Sequence, residues 1–460
     1  STGENVEMAK VKDLTTGSPI KLMLLYALPV LAGNICQQIY NFADTIIVGQ
    51  KLGENALAAV GTTGSMFFLV NGFVIGITSG FAVHISQRFG AKDYDGMRNS
   101  VFNAVFLWGL ITVIITALAM IFSKPMLRLI NTPDDIIDDA QRYILTIYAG
   151  ILAPMLYNAA SCILRAVGDS KTPLYFLMVS AVLNIGMDLF FIVVLKMGVF
   201  GAALATVIAQ FISGVACIVY MIIKFPILRI TKADMHINGS IIKTHLTIGL
   251  PMAFQFSITA IGTIVLQGAI NKFGATRIAA YTAASKTEQL VTQIAGASGV
   301  TTANFVGQNI GAGRYDRIKK GVRAWSFVTI GAAVFAMVVI FFFGRDICGL
   351  FIKNRNPVTL DSSMVYLNTV ITFFIPLFLI FVFRNALQAM GKTLMPLMAG
   401  VFELVARTIA SFTLPDVIGF KGVCLAGPIA WVSAMVPLFV TYIIYMVKFK
   451  KKGYFKARED

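Results

Sequence analysis

Charged residues are scarce in this chain. Only 13% of its 460 residues are Asp, Glu, Lys or Arg, whereas a soluble domain carries about a quarter. Hydrophobic residues make up 57% of the sequence, and the mean hydropathy is +0.78. This balance excludes an ordinary soluble protein and indicates an integral membrane protein.

Cysteine and histidine are also few. The five cysteines lie far apart and form neither a metal-binding spacing nor a disulfide framework. The three histidines have no partners at ligand spacing. Walker loops, nucleotide fingerprints and nucleophile elbows are missing as well. We therefore expect a protein that is not an enzyme, does not hydrolyse ATP and needs no cofactor other than a coupling ion.

Long apolar segments recur along the chain. Each is close to the ~20 residues that a helix needs to cross a bilayer. The first apolar run is too long for a cleavable signal peptide and lacks a small-residue cleavage site. We predict an all-α integral membrane protein with twelve transmembrane helices, numbered here as spans 1 to 12: 19–48, 56–87, 99–123, 137–163, 173–195, 198–223, 240–271, 277–308, 321–345, 360–388, 394–415 and 419–447.

The net charge of +16 would suit a nucleic-acid partner, but its distribution favours another reading. If the N-terminus is cytoplasmic, most Lys and Arg fall in inner loops and in the tail after residue 447. One outer loop instead carries four acids, at 134, 135, 138 and 139. This positive-inside bias predicts a multi-pass protein of the cell membrane with both termini in the cytoplasm, contacting lipid and not nucleic acid.

The sequence contains an internal repeat. Four blocks of the first half recur in the second half at an offset of 221 to 223 residues. Because six helices are an even number, both halves enter the membrane in the same orientation. Two six-helix bundles related by a pseudo-two-fold axis along the membrane normal are therefore predicted. The matching blocks are 51–61 with 272–282, 89–98 with 310–319, 164–174 with 387–397, and 198–209 with 419–430.

The repeat also divides the chain. Residues 1–223 are predicted to form an N-lobe with the cation-coupling site, and residues 224–239 a cytoplasmic linker. Residues 240–460 would form a C-lobe with a basic tail.

Span 1 carries an acid at membrane depth, Asp44. Asn34, Gln37 and Asn41 precede it at helical spacing, so all four fall on one face. Tyr40 lies beside this stripe. An ionisable residue inside a transmembrane segment indicates a functional site, because a charge facing lipid is costly. We therefore predict that the stripe lines a cavity. The alternative is a hydrogen-bonded seam between helices.

A second acid, Asp188, lies in span 5 with Asn184 four residues before it. Span 6 adds Thr206. Together with Asp44 these oxygens suit Na⁺, or the two acids share a proton. Alternatively, Asp188 simply pairs with a local hydroxyl group or water molecule.

The second repeat lacks the acid pair. The position of Asp44 is taken by Val265 or Leu266, and that of Asp188 by Ile409, Ala410 or Ser411. An acid required by the fold is expected in both copies. The presence of these acids in one repeat only therefore favours a functional role over a requirement of the fold.

Other polar residues distinguish the second half. Gln255 and Thr259 form part of an uncharged stripe on span 7, and Glu288 lies in span 8. Glu403 and Arg407 in span 11 are four residues apart, which predicts a structural ion pair.

Several motifs resemble the MATE family of multidrug and toxic compound extrusion transporters. They are "FADTIIVG" in span 1, "GAKDYDGMR" and "GQNIGAGRYDRIK" after spans 2 and 8, and "RAVGDSKTP" after span 4. The resemblance extends over essentially the whole chain. It implies Na⁺- or H⁺-coupled antiport by two helix bundles.

The resemblance also implies roles for individual residues. Asp44 matches the acid of helix 1 in prokaryotic members, and Pro29 matches the proline at which that helix bends. The cation-coupling site of the DinF-like branch matches Asp44, Asn184, Asp188 and Thr206, and its neighbours match Gln37, Tyr40 and Asn158. The NorM-like branch has a helix-7 acid where this chain has Thr259, which supports the DinF-like assignment.

The combined prediction is a secondary active antiporter. It would act as a monomer and export small amphipathic or cationic organic compounds in exchange for Na⁺ or H⁺. A lipid-linked precursor flippase of the same superfamily and a non-transporting receptor or scaffold are the alternatives. The residues predicted to line the substrate cavity are Asn34, Gln37, Tyr40, Asn41, Asn158, Gln255, Thr259 and Glu288.

Overall fold

The computed structural model describes residues 11–455, and its regular elements there are all helical. The α-helices are α1 (Pro19–Leu52), α2 (Glu54–Thr62), α3 (Gly64–Gly90), α4 (Tyr94–Leu129), α5 (Ile137–Ala149), α6 (Leu152–Ala166), α7 (Lys171–Leu189), α8 (Gly198–Lys224), α9 (Gly239–Asn271), α10 (Ala275–Gly311), α11 (Tyr315–Gly349), α12 (Pro357–Ile371), α13 (Phe374–Ala389), α14 (Leu394–Thr413), α15 (Pro415–Ile418) and α16 (Phe420–Lys451). A π-helical turn, Phe190–Val194, extends α7. The predicted all-α fold class is confirmed.

Within residues 11–455, nine helical stretches are long and apolar enough to cross a membrane. Two further candidates are bent pairs, α5 with α6 and α12 with α13, which raise the number to eleven. The predicted eighth span is also a helix, α10, but it does not meet the same criterion of apolarity. Each of the twelve predicted spans therefore coincides with a helix or a bent pair of helices.

The repeat is visible in the backbone as well as in the sequence. The bend is 45° between α5 and α6 and 51° between α12 and α13, which are equivalent pairs in the two halves. Gly53 and Gly274, 221 residues apart, precede equivalent helices with φ of 91° and 87°. Only glycine adopts such a conformation without strain. Both copies therefore use the same turn chemistry.

The chain forms two compact units. Among the described residues, unit 1 contains 11–14 and Ala32–Ala253, and unit 2 contains Thr15–Leu31 and 254–455. Two helices, α1 and α9, contribute to both units. Each changes unit shortly after an internal proline, Pro29 in α1 and Pro251 in α9. These units differ from the predicted lobes, which assign each span to one lobe only.

Small residues allow helices of unit 1 to meet at their backbones. A Cβ atom added to Gly80 in α3 would lie 2.4 Å from the Cα atom of Gly249 in α9. One added to Gly76 would lie 2.6 Å from the Cα atom of Ala253. Helix α3 and the first half of α9 therefore pack without intervening side chains.

Both units expose large apolar side chains. Val113 in α4 is 68% exposed and Phe342 in α11 is 67% exposed. Hydrocarbon covers such surfaces in a membrane protein, so their exposure agrees with the multi-pass architecture.

The segment between the two repeats is held by α4. Arg98 forms a salt bridge with Asp234 at 3.3 Å, and Asn99 donates a hydrogen bond to the Asp234 carbonyl at 2.8 Å. Asn103 accepts a hydrogen bond from the Asn238 backbone at 3.0 Å. All of these residues belong to unit 1.

Candidate functional site

The structure brings the two one-sided acids together in unit 1. Asp44 on α1 and Asp188 on α7 lie within hydrogen-bonding reach of each other. Asp188 is fully buried, whereas Asp44 is half-buried. An ionised carboxylate has no hydrogen-bond donor, so this contact requires a proton or a cation between the two groups.

The neutral partners predicted for the acids also lie in this cluster. In the amide orientation that satisfies both ends, Asn184 donates to Asp188 Oδ2 at 2.9 Å. Its amide oxygen accepts from the Thr206 hydroxyl at 3.1 Å. Asn184 reaches Asp188 because residues four apart share a helix face, while α8 presents Thr206 from the opposite side. The four predicted cation-coupling residues therefore form one contiguous group.

One oxygen of each acid remains without a donor. Asp44 Oδ1 and Asp188 Oδ1 are buried, and no described residue donates a hydrogen bond to either. Buried polar atoms are nearly always partnered, so these two oxygens mark the group as a ligand site. In the described range, no group of three or more His, Cys, Asp or Glu side chains is arranged to hold a metal ion. A Na⁺ ion here would thus need the neutral oxygens of Asn184 and Thr206 as well as the acids.

Two tyrosines border the acid pair. Tyr40 on α1 lies close to Thr206 and within electrostatic range of Asp44 and Asp188, as expected for a residue beside the polar stripe of span 1. Tyr143 on α5 is buried and lies within electrostatic range of Asp44 and Asp188. Sequence reasoning missed Tyr143 because a single tyrosine in an apolar segment resembles an ordinary core residue. The bent pair α5 and α6 brings it to the site.

The other polar residues predicted to line the cavity of unit 1 have different surroundings. Gln37 and Asn41 are exposed, and Asn34 is half-buried. Asn158 donates its amide hydrogen bond to the Pro154 carbonyl one turn earlier, at 2.8 Å. Their part in substrate binding stays a prediction.

The predicted cavity residues of the second half belong to unit 2. Gln255 is buried, and its carbonyl accepts a hydrogen bond from the Thr259 hydroxyl at 3.0 Å. Glu288 Oε2 accepts a hydrogen bond from the Tyr366 hydroxyl at 2.7 Å. The Lys286 ammonium group instead lies 5.4 Å from the centre of the Phe351 ring.

The predicted ion pair of α14 is present and gains a third member. Arg407 Nη2 lies 2.9 Å from Glu403 Oε1. Arg384 on α13 lies 3.4 Å from the other Glu403 oxygen. All three side chains are buried. The spacing of Glu403 and Arg407 along one helix predicted their contact. No sequence pattern predicted the contact of Glu403 with Arg384, which lies on another helix.

Comparison with known proteins agrees with this architecture. A "Probable multidrug resistance protein YpnP" from Bacillus subtilis is 28% identical over 94% of this chain and 97% of its own length. A second one from that organism, YoeA, is also 28% identical, over 94% of each chain. The fold matches a structure described as the "Outward-facing conformation of a multidrug resistance MATE family transporter of the MOP superfamily", with a TM-score of 0.89, 22% identity and coverage of 96% and 99%.

A model of the MatE family matches residues 29–190 and 251–413. These two segments cover well over half of the chain, and one falls in each repeat. The resemblance noted in the motifs is thereby confirmed, together with the expectation of a transporter instead of an enzyme. This chain belongs to the MatE family of membrane transporters.

Proposed function

We propose that this protein exports amphipathic organic compounds, including cationic ones, in exchange for Na⁺ or H⁺ bound at Asp44 and Asp188. The observation that carries the proposal is the buried contact between two carboxyl groups, each with one oxygen that no described donor reaches. Two like charges at such a distance repel strongly in a medium of low polarity. Binding of a cation or proton relieves that repulsion.

The relatives support the class of substrate. Two Bacillus subtilis relatives carry the name "probable multidrug resistance protein", and each matches 94% of this chain. The acid pair occurs in only one repeat, which favours a coupling role over a requirement of the fold. A receptor or scaffold would gain nothing from these acids, and so antiport is the better reading.

The proposed mechanism couples the charge of the acids to the shape of α1. When a cation neutralises Asp44 and Asp188, the end of α1 that carries Asp44 loses a repulsive contact with α7. A proline inside a helix removes one backbone hydrogen bond and eases bending. Bending near Pro29 would then repack α1 and weaken the binding of the exported compound.

The driving force is sufficient for such a step. One charge that moves through a membrane potential of 100 mV gains about 2.3 kcal/mol. Release of the cation on the cytoplasmic side would restore the repulsion and reset the transporter.

The membrane arrangement belongs to the same proposal. Most basic residues fall in the loops and tail that would face the cytoplasm if both termini lie there. We propose a location in the plasma membrane, cytoplasmic termini and a monomeric transporter. Labelling in intact cells of a cysteine introduced into the tail after residue 447, which has none of its own, tests the orientation.

Flux in proteoliposomes tests the function directly. A fluorescent organic cation is loaded, and Na⁺ and pH gradients are imposed separately. Efflux that follows either gradient supports antiport and identifies the ion. Movement of a lipid-linked headgroup without organic-cation flux would favour the flippase alternative, and absence of both would leave a receptor or scaffold.

A further inference from the structure

Unit 2 contains a buried cluster in which two arginines face one carboxylate. Arg384 from α13 and Arg407 from α14 both contact Glu403. Exposure is only 8% for Arg384 and 7% for Arg407 and Glu403. Burying charge is costly unless each group is paired, so the excess of positive charge needs an explanation.

The hydrogen bonds of the two guanidinium groups are incomplete. A guanidinium carries five N–H donors, and Glu403 accepts one hydrogen bond from each arginine, at 2.9 Å from Arg407 and 3.4 Å from Arg384. The Nε atoms of both arginines are buried without an acceptor among the described residues. Neither arginine therefore makes the two-pronged contact that a guanidinium forms with an ideal oxyanion partner.

A second carboxyl nearby does not complete the pairing. Glu288 lies within electrostatic range of Arg407. Its hydrogen bond comes from Tyr366, however, and in the described part of the chain it forms no salt bridge with Arg384 or Arg407. The direct contacts of the cluster remain two guanidiniums to one carboxylate.

Neutral polar groups of α9 lie beside the arginines. A Cβ atom on Gly262 would lie 2.6 Å from Arg407 Nη1, so the guanidinium fits against the bare backbone of α9. Thr259 lies three residues before Gly262 on the same face of α9, and its hydroxyl donates a hydrogen bond to the Gln255 backbone carbonyl at 3.0 Å. The Gln255 amide donates in turn to the Thr259 hydroxyl at 3.4 Å, so these two groups satisfy each other, and the guanidiniums supply the donors that a carboxylate or phosphate needs.

The internal repeat supplies an independent argument. At the offset of 223 residues that relates 164–174 to 387–397, Arg407 corresponds to Asn184, which lies in the acid site of unit 1. Arg384 corresponds to Ser161 at the same offset. The duplicated scaffold therefore carries arginines in unit 2 where unit 1 has neutral residues, one of which, Asn184, contacts the acid Asp188.

We propose that Arg384 and Arg407 bind the oxyanion of an exported compound, a carboxylate or a phosphate, and that Glu403 occupies the arginines when no compound is bound. This rests on the proposed export function and adds to it a class of substrate: amphipathic compounds that carry an anionic group, including zwitterions.

Equilibrium binding to the full-length protein in nanodiscs, without any ion gradient, tests the proposal. The probes are dansylglycine, its neutral amide dansylglycinamide, and dansylated ethanolamine phosphate. We expect one of the acidic probes to bind at least tenfold tighter than the amide, a difference of about 1.4 kcal/mol. A preference for the carboxylate identifies a carboxylate site and a preference for the phosphate identifies a phosphate site, and both support the proposal.

Variants of the cluster connect that preference to the arginines. Arg384→Gln removes one proposed ligand and leaves Arg407 paired one to one with Glu403, so no buried charge loses its partner. It should fold and bind acid and amide alike. Arg384→Lys keeps the charge but loses the planar fork, and should lower the preference several-fold. Equal binding of acid and amide by the unmodified protein, or a preference that survives Arg384→Gln in full, would overturn the proposal.

The outcome is separable from that of the export proposal. Probe binding here requires no gradient and therefore does not depend on ion-driven transport. Preserved discrimination without any ion-driven flux would refute antiport and leave the oxyanion site intact.

Discussion

Units 1 and 2 have the same scaffold but opposite buried charges. Equivalent glycines adopt the same left-handed conformation, and equivalent helix pairs bend by 45° and 51°. Unit 1 nevertheless holds the half-buried Asp44 beside the buried Asp188, whereas unit 2 buries Arg384 and Arg407 around Glu403. Duplication has preserved what the backbone needs, while the polar groups at membrane depth have diverged. Buried charge in this chain therefore differs between the repeats, although the backbone turns and bends are shared.

The largest expected effect is the loss of coupling when the acid pair of unit 1 is broken. Asp188→Asn keeps the shape of the side chain but removes the charge, so a cation no longer gains from binding there. We expect ion-driven efflux in proteoliposomes to be abolished while the protein still reaches the membrane. Asp361→Asn, which removes an exposed acid of unit 2, serves as the control and should transport normally. Full transport by Asp188→Asn would remove the coupling role of unit 1.

The next largest effect should come from Glu403 in unit 2. Glu403→Gln leaves two buried guanidiniums facing each other, and breaking a buried ion pair costs about 3–5 kcal/mol. Thermal unfolding in detergent should therefore begin at a clearly lower temperature than for the unmodified protein. Added dansylglycine should recover part of the loss, because it replaces the missing carboxylate.

A matched comparison shows whether this loss depends on the ion pair. Glu288→Gln removes a carboxyl whose hydrogen bond comes from a tyrosine hydroxyl and not from an arginine. It should cost less stability than Glu403→Gln, and dansylglycine should stabilise it by no more than it stabilises the unmodified protein. Equal losses for the two variants would mean that the arginines of unit 2 do not depend on Glu403.

A smaller loss of stability is expected when the close packing of α3 against α9 in unit 1 is disturbed, a contact that the second repeat does not share. Gly80→Ala places a methyl group 2.4 Å from the Cα atom of Gly249, so α3 and α9 must separate. Overpacking of this kind costs typically about 1–3 kcal/mol. Unit 2 has Thr301 at the equivalent position, so this close contact is not a property of the repeat. Unfolding temperatures should therefore fall for Gly80→Ala.

The control for this substitution is a glycine with space around it. Gly109→Ala in α4 meets no other atom within 4 Å, and alanine favours a helix over glycine by about 0.8–1.0 kcal/mol. It should leave stability unchanged or raise it slightly. A Gly80→Ala variant as stable as Gly109→Ala would show that α3 and α9 are not closely packed.

Apolar length and the repeat made most of this fold predictable from the sequence. Each predicted span coincides with a helix or a bent pair, because a membrane requires apolar segments of nearly fixed length. Both acids were predictable for the same reason, since charge stands out in an apolar segment. Tyr143 and Arg384 were not linked to their sites, because their contacts are made across helices and no spacing along one helix encodes them. The bends at residues 150 and 372 depend on packing and left no recognisable signal.

The smallest expected effect concerns the segment after α8, whose described contacts lie in unit 1. Burial opposes ionisation of Asp234, but hydrogen bonds from Thr231 and the charge of Arg98 more than offset it, so the pKa of this carboxyl is lowered. An acid with a lowered pKa stabilises the folded state fully above its unfolded pKa, near 4. That contribution is lost as the pH falls through the lower folded value. Asp234→Asn should therefore reduce stability slightly at pH 6 and flatten the decline between pH 4 and pH 3, whereas Asp134→Asn in an exposed loop should change neither. If hydrogen exchange in Asp234→Asn increased throughout unit 2 and not around α4, the assignment of this segment to unit 1 would be wrong.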